Sequence, residues 1–429
     1  MSTKKSFTDR LLDVSAKFAQ NKFIAIIMQG FMVLLPITIV GSIASLMTGI
    51  TADWWVAFLA NTGMAQVLSA IYQFTVGILA LYITFGVASA FCRVYGLPES
   101  SVTAGLVSIG CFLVVTPFTP QDYANGIVGS LPFAWLGSSG MFMAIIMGFL
   151  VGSIFLLCKT KHLEIKLPAS VPPMVSQQFT ALIPSILAIF AAGAINRIFA
   201  FTSYGDVQSA IYAVVAMPLR SVGANIWGQW ILGIVMTLFW FFGIHGGMTV
   251  GPFFQLLFTP LAMENLAATQ AQQPLPNLVT GTTLNIGTGS LVVVLTILLI
   301  AKSETLRSIA KLAIIPSFFG VDEPAYFGLP MIMNPIFFIP WVLIINTVVG
   351  FGTYGLQLAG LLPYASGAAV GFNVPFFVIN LVSFGWRGVI WGFVLMAIGI
   401  AIYIPFVKAY DSQLLKEEAE NKANLKEEA

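Results

Sequence analysis

The chain has 429 residues, 58% hydrophobic and only 8% charged, with a formal net charge of +2 and a mean hydropathy of +0.92. An ordinary soluble protein carries about 25% charged residues, so this composition excludes a soluble domain, and a charge this close to zero offers nothing to nucleic acid. The apolar runs are long and continuous rather than alternating with period two, which predicts membrane-spanning helices and not a barrel.

The first 23 residues, MSTKKSFTDRLLDVSAKFAQNKF, are polar and read as a cytoplasmic amphipathic segment without a small-residue cleavage site. Apolar spans are predicted at 24–50, 67–91, 102–118, 133–158 and 179–201. Basic residues cluster at the N-terminus (Lys4, Lys5, Arg10, Lys17, Lys22), after the second span (Arg93) and after the fourth (Lys159, Lys161, Lys166). The loops around Asp53 and Asp122 contain none, so every second loop is basic and the N-terminus is placed in the cytoplasm. Cys92, Cys111 and Cys158 lie in or beside these spans and fit no zinc or disulfide spacing, so they read as small buried hydrophobes. Residues 24–178 form scaffold material with few polar groups inside it.

After residue 201 the pattern changes. The stretch GDVQSAIYAVVAMPLR places Val207, Ala210, Ile211, Val214 and Val215 on one helical face, predicting an amphipathic helix along the membrane interface. A span at 226–243 comes next. The hundred residues after it are short pieces cut by Gly and Pro, the pattern of re-entrant hairpins and discontinuous helices that line a cavity. Further spans are predicted at 337–358, 368–384 and 388–407, and a charged helical tail at 409–429. The expected architecture is therefore an all-α polytopic membrane protein. It has about ten transmembrane helices, re-entrant hairpins and interfacial amphipathic helices. Residues 179–408 hold most of the membrane-embedded polar side chains.

Chemistry concentrates in that second half. His162 sits in a basic loop and reads as a solvated residue, whereas His245 ends an apolar run inside GIHGG, where flanking glycines let a backbone or ligand come close. A buried histidine with a structural hydrogen bond is the plainer reading of the same residue. Asp322 and Glu323 stand together in FFGVDEPAYFGLPMIMNP, where an ionised group in hydrocarbon costs about 3 kcal/mol. Pro324 suits a first helical position, so Asp322 is expected to cap a half-helix. Glu323 is then left for acid–base work. TTLNIGTGSL, with Asn285, Thr288 and Gly289, lacks the GK[ST] ending of a phosphate loop but suits hydrogen bonding to a polyol. Trp227, Trp230, Trp240 and Trp386 offer flat faces to sugar rings, although interface anchoring is the commoner work of such residues.

The motifs GIHGG at 243–247 and FGVDEPAYFGLPMIMNP at 319–335 resemble those of the membrane subunit, IIC, of bacterial phosphoenolpyruvate-dependent sugar phosphotransferase systems, in the lactose/cellobiose/diacetylchitobiose branch. The resemblance covers nearly the whole chain. It implies a homodimer in the cell membrane with ten spans per subunit and both termini cytoplasmic. The N-terminal half would make the dimer contact, and the C-terminal half would enclose a disaccharide between two re-entrant hairpins. It further implies that Glu323 accepts the hydrogen bond or proton of the sugar C6 hydroxyl while His245 orients that hydroxyl. Asn285, Thr288, Gly289, Trp386, Asn225 and Gln229 complete the expected sugar contacts. No cofactor or metal is expected. The phosphoryl donor would be the phosphocysteine of a IIB protein, expected on a separate chain because the polar tails are too short to hold one. A proton-coupled secondary sugar transporter using His245 and Glu323 as a relay is the competing expectation.

Overall fold

The computed structural model describes residues 21–427 apart from 51, 118–130, 166, 169, 285, 287–288, 330 and 371–373. Among these residues there are helices and loops but no strand. The expected N-terminal segment falls almost wholly outside them. Among the described residues, chain contacts define two compact units, one running to Gly223 and including Pro252–Pro276, the other holding Ala224–Gly251 and the residues from Asn277 onward.

In the first unit, α1 (Lys22–Met32) starts at Asn21, whose side-chain oxygen accepts the N–H groups of Phe23 and Ile24. It bends by 46° into α2 (Leu35–Gly49), which has a proline in its first turn. Next come α3 (Asp53–Thr62), α4 (Met64–Gln73), α5 (Leu79–Val94), α6 (Ser101–Val115), α7 (Met141–Thr160) and α8 (Pro173–Phe199). Small residues let these apolar helices touch along their backbones, the packing a membrane chain relies on when no hydrophobic drive operates between helices. A Cβ at Gly86 would lie 2.4 Å from the Gly30 carbonyl oxygen, and one at Gly152 would lie 2.5 Å from the Phe91 ring. Ser108 Oγ donates to the Thr84 carbonyl at 2.9 Å and ties α6 to α5. The three cysteines are buried and free. Helix α8 packs against α6 and α7 within this unit.

The expected amphipathic helix forms as α9 (Val207–Gly223). Its apolar face is not the one expected, because residues Tyr212–Ala216 form a π-helical turn. The extra residue in that turn rotates the remainder of the helix about its axis, so Val207 and Ala210 are buried while Val214 is exposed.

The second unit contains α10 (Ile226–Phe241), the start of α11 (Gly246–Gln270), α12 (Leu291–Ile300), α13 (Glu304–Phe318), α14 (Glu323–Gly328), α15 (Pro335–Leu358) and α16 (Phe376–Glu427). Its core gathers Trp240, Val294, Leu306, Tyr326, Trp341 and Tyr403. Polar bonds cross between α10 and α15, where Asn346 donates to Thr237 Oγ1 at 2.7 Å and Trp230 to Thr347 Oγ1 at 3.1 Å. The segments expected at 368–384 and 388–407 are two helices that meet at Gly385, whose φ of 69° and ψ of −165° are open to glycine; the first begins only at Phe376. The chain folds back at that break, because the Phe376 and Phe393 rings lie 5.2 Å apart, far closer than one continuous helix would allow. The piece before that break is too short to cross a bilayer, which takes about 20 residues. Among the described residues, six helices are long and apolar enough to cross a membrane, or up to eight if each of two bent pairs is one span.

The tail end of α16 is built into this unit. Asp411 is buried, and its carboxylate accepts the N–H groups of Lys302 (2.9 and 3.0 Å) and Ser303 (2.8 Å) at the turn into α13. Removing it strands the Lys302 N–H, which costs about 1–3 kcal/mol. Asp411→Ala is therefore expected to lower the thermal midpoint of the detergent-solubilised protein clearly, with Asp411→Asn losing less; equal midpoints for Asp411→Ala and the unsubstituted chain would show that the cap contributes nothing.

Candidate functional site

Helix α10 ends where Gly243 takes a positive φ of 79°. Gly243 N–H then bonds to the Trp240 carbonyl and Ile244 N–H to the Phe239 carbonyl, both at 2.9 Å, the paired bonds of a Schellman stop. Two residues later His245 opens α11. Its carbonyl accepts from Thr249 N–H at 3.1 Å, and its ring Nδ1 accepts from Met248 N–H at 3.1 Å. The imidazole thus does the work usually done by a Ser or Asp cap. Gly246 lets the new helix start against the old one, because a Cβ there would lie 2.0 Å from the Met236 carbonyl oxygen and 2.7 Å from the Trp240 ring.

The same device recurs at the second motif. Helix α13 stops at Gly320, φ 75°, with Gly320 N–H on the Ser317 carbonyl (3.1 Å) and Val321 N–H on the Pro316 carbonyl (3.0 Å). Asp322 comes next, in the position that His245 holds in the first motif, and its carbonyl accepts from Ala325 and Tyr326. Glu323 is the first residue of α14, ahead of Pro324. GIHG and GVDE are therefore two copies of one local plan: stop, turn, cap, restart.

These two restarts bring His245 Nε2 to 3.2 Å from Glu323 Oε1. The tautomer is set by the cap. Nδ1 accepts a hydrogen bond from Met248 N–H, so in the neutral ring the hydrogen is on Nε2 and is donated in a hydrogen bond to the carboxylate. Trp240 lies against the imidazole with ring centroids 4.2 Å apart, and Tyr326 and Phe327 flank Trp240 in turn. The pair is not sealed: the side chains keep 37% and 45% of their surface, leaving room for a ligand to reach both.

Asp322 departs from its expected capping role. Its side chain makes no cap bond to α14. Instead Oδ1 accepts Ser290 N–H at 2.9 Å. It also packs on Gly289, whose φ is 50° and where a Cβ would lie 2.7 Å from that oxygen. Ser290 Oγ in turn donates to Ser317 Oγ at 2.7 Å. Gly289 thus joins the pair through Asp322, while Asn285 and Thr288 lie outside the described residues. Asn225 is an N-cap, accepting from Trp227 N–H at 2.9 Å. Gln229 is buried in a closed triangle, donating to Thr283 Oγ1 and accepting from Tyr354 OH, with Thr283 and Tyr354 also bonded at 2.9 Å. Trp386 lines a separate cleft to which neither His245 nor Glu323 contributes. The residue that sequence reading passed over is Ser290, 32 positions from its partner; the only local signal was the glycine before it.

The chain is similar over nearly its full length to the oligo-beta-mannoside-specific EIIC component of Bacillus subtilis (strain 168). The two are 31% identical, covering 96% of this chain and 94% of that one. It is 30% identical to the cellobiose-specific EIIC component of Geobacillus stearothermophilus, covering 96% of this chain and 94% of that one. Among solved structures, the transporter ChbC, the IIC component from the N,N'-diacetylchitobiose-specific phosphotransferase system, superposes with a TM-score of 0.89 at 30% identity, covering 96% of this chain and 99% of that one. The family model described as "Phosphotransferase system, EIIC" matches residues 28–345, a stretch holding both restart motifs. The chain therefore belongs to the phosphotransferase system EIIC family and is a multi-pass membrane sugar permease of that system.

Proposed function

We propose that this permease binds a β-linked disaccharide and presents its C6 hydroxyl to the phosphocysteine of a IIB protein. The observation that carries the reading is the His245–Glu323 pair with its tautomer set by Met248. A hydroxyl group donates once and accepts as well, so it fits between an Nε2–H donor and a carboxylate acceptor. Entering there, it takes the hydrogen bond of His245 and gives its own to Glu323. As the oxygen attacks phosphorus, an O–P bond forms, the S–P bond to the cysteine breaks, and the hydroxyl proton passes to Glu323. The substrate class rests on the family branch and on the named substrates of the relatives, β-linked in the mannoside and cellobiose cases. The same reading includes a homodimer, termini in the cytoplasm and about ten crossings per subunit, beyond the long helices described above.

The test is sugar uptake into vesicles with and without phosphorylated IIB. Cellobiose or diacetylchitobiose should accumulate as sugar phosphate only with the donor present, and collapsing the proton gradient should leave the rate unchanged. Uptake of free sugar that stops when the gradient collapses would favour a proton-coupled relay instead.

Asp322 enters this reading as a positioning residue. Asp322→Asn keeps an acceptor for Ser290 N–H and should hold phosphorylation within about three-fold of the unsubstituted rate. Asp322→Ala loses a charge-assisted bond worth about 1.5–3 kcal/mol and should fall about ten-fold or more in phosphorylation rate. Equal losses in the two variants would mean that charge, and not the bond to Ser290, is what matters at this position.

A further inference from the structure

We infer that a cleft in the second unit, between the end of α15 and α16 beyond its break, is a binding site for one anionic phospholipid. The cleft holds about 420 Å³, within the 300–1,000 Å³ typical of ligand sites. One wall comes from Leu356 and Leu361, the other from Trp386, Arg387, Ile390 and Val394. Those last three are spaced by three and four positions, so they share one helical face. From Arg387 to Val394 the face runs about 10 Å along the helix axis, a cationic head followed by an apolar stripe. Arg387 lies over the Trp386 ring, 5.6 Å from its centroid, and among the described residues no carboxylate pairs with it and no hydrogen bond engages it. No acid lines the cleft.

The wall chemistry selects the occupant. A sugar needs several donors and acceptors, and of the two indole N–H groups here, that of Trp391 is already given to Thr353 Oγ1 at 2.9 Å. What remains is one free guanidinium, suited to a phosphate, beside a tryptophan at the end of a span, where interfacial aromatics sit. Below it runs an oily channel suited to an acyl chain. Charge and shape together fit a phosphodiester on Arg387 with a chain over Ile390 and Val394. This assigns Trp386 to lipid contact and leaves the sugar site to the His245–Glu323 pair.

The probe is native mass spectrometry of the intact protein in detergent, loaded with phosphatidylglycerol or phosphatidylcholine. The unsubstituted protein should retain one phosphatidylglycerol per subunit through delipidation and little phosphatidylcholine. Arg387→Gln should cut that retention about five-fold, the factor expected for one basic residue near a membrane surface, whereas Arg387→Lys should keep most of it. Val394→Trp, which fills the channel but spares the cation, should also displace the lipid. Equal retention of the two lipids by the unsubstituted protein overturns the inference whatever the variants do. So would retention unchanged in Arg387→Gln, or disulfide cross-linking between two copies carrying Ile390→Cys, which would place a second chain in the cleft.

Discussion

Glu323→Gln is expected to bind sugar within a few-fold of the unsubstituted protein and to lower IIB-dependent sugar phosphorylation by at least a hundred-fold. The substitution is nearly isosteric. Its amide oxygen can still accept from His245 Nε2–H, so the 3.2 Å contact that joins α14 to the start of α11 need not be lost. What the amide cannot do is take the hydroxyl proton, and a positioned base is worth about 10²–10⁴ in rate. The measurement is sugar phosphate formed per minute in proteoliposomes supplied with phosphorylated IIB, beside an equilibrium binding titration. Near-normal phosphorylation in Glu323→Gln would remove the base role altogether. A parallel collapse of binding would instead make Glu323 a contact for the ground-state sugar.

The second large effect separates the two jobs of His245. Its Nδ1 closes the first turn of α11 and its Nε2 meets Glu323. Asparagine is among the best N-cap residues, and its short amide reproduces the first bond but not the second. His245→Asn should therefore keep the thermal midpoint close to that of the unsubstituted protein while phosphorylation falls about a hundred-fold. His245→Ala loses the cap as well, about 1 kcal/mol, and should be both less stable and inactive. Should His245→Asn turn over normally, the histidine is a structural cap only, the plainer reading of a lone His in an apolar run.

Much of this was legible from residue type and order. A 58% hydrophobic chain cannot be dissolved in water, and backbone groups in lipid must be satisfied within a helix, so the helical class is dictated by composition. The approach of His245 to Glu323, 78 positions apart, was what the family resemblance of their two motifs implied. Other expectations failed for identifiable reasons. Asp322 carries every local mark of a cap, next to Pro324 at a helix start, yet its carboxylate turns to Ser290 because Gly289 leaves space there and Ser290 offers an unsatisfied N–H. Residues 368–384 looked long enough for a span because hydropathy does not register where a helix begins, and the helical piece before Gly385 starts only at Phe376.

By itself, the order of residues determined where helices must stop and restart. Gly243 and Gly320 adopt backbone angles that side chains resist, and each is succeeded at a fixed distance by the residue that opens the next helix. That is local information, carried by sterics within five or six residues. Which side chain then works as a cap, a latch or half of a reactive pair was decided only when distant helices met. Hydrogen bonds lose strength steeply beyond about 3.2 Å, and only the tertiary packing of α10, α11, α13 and α14 sets distances on that scale.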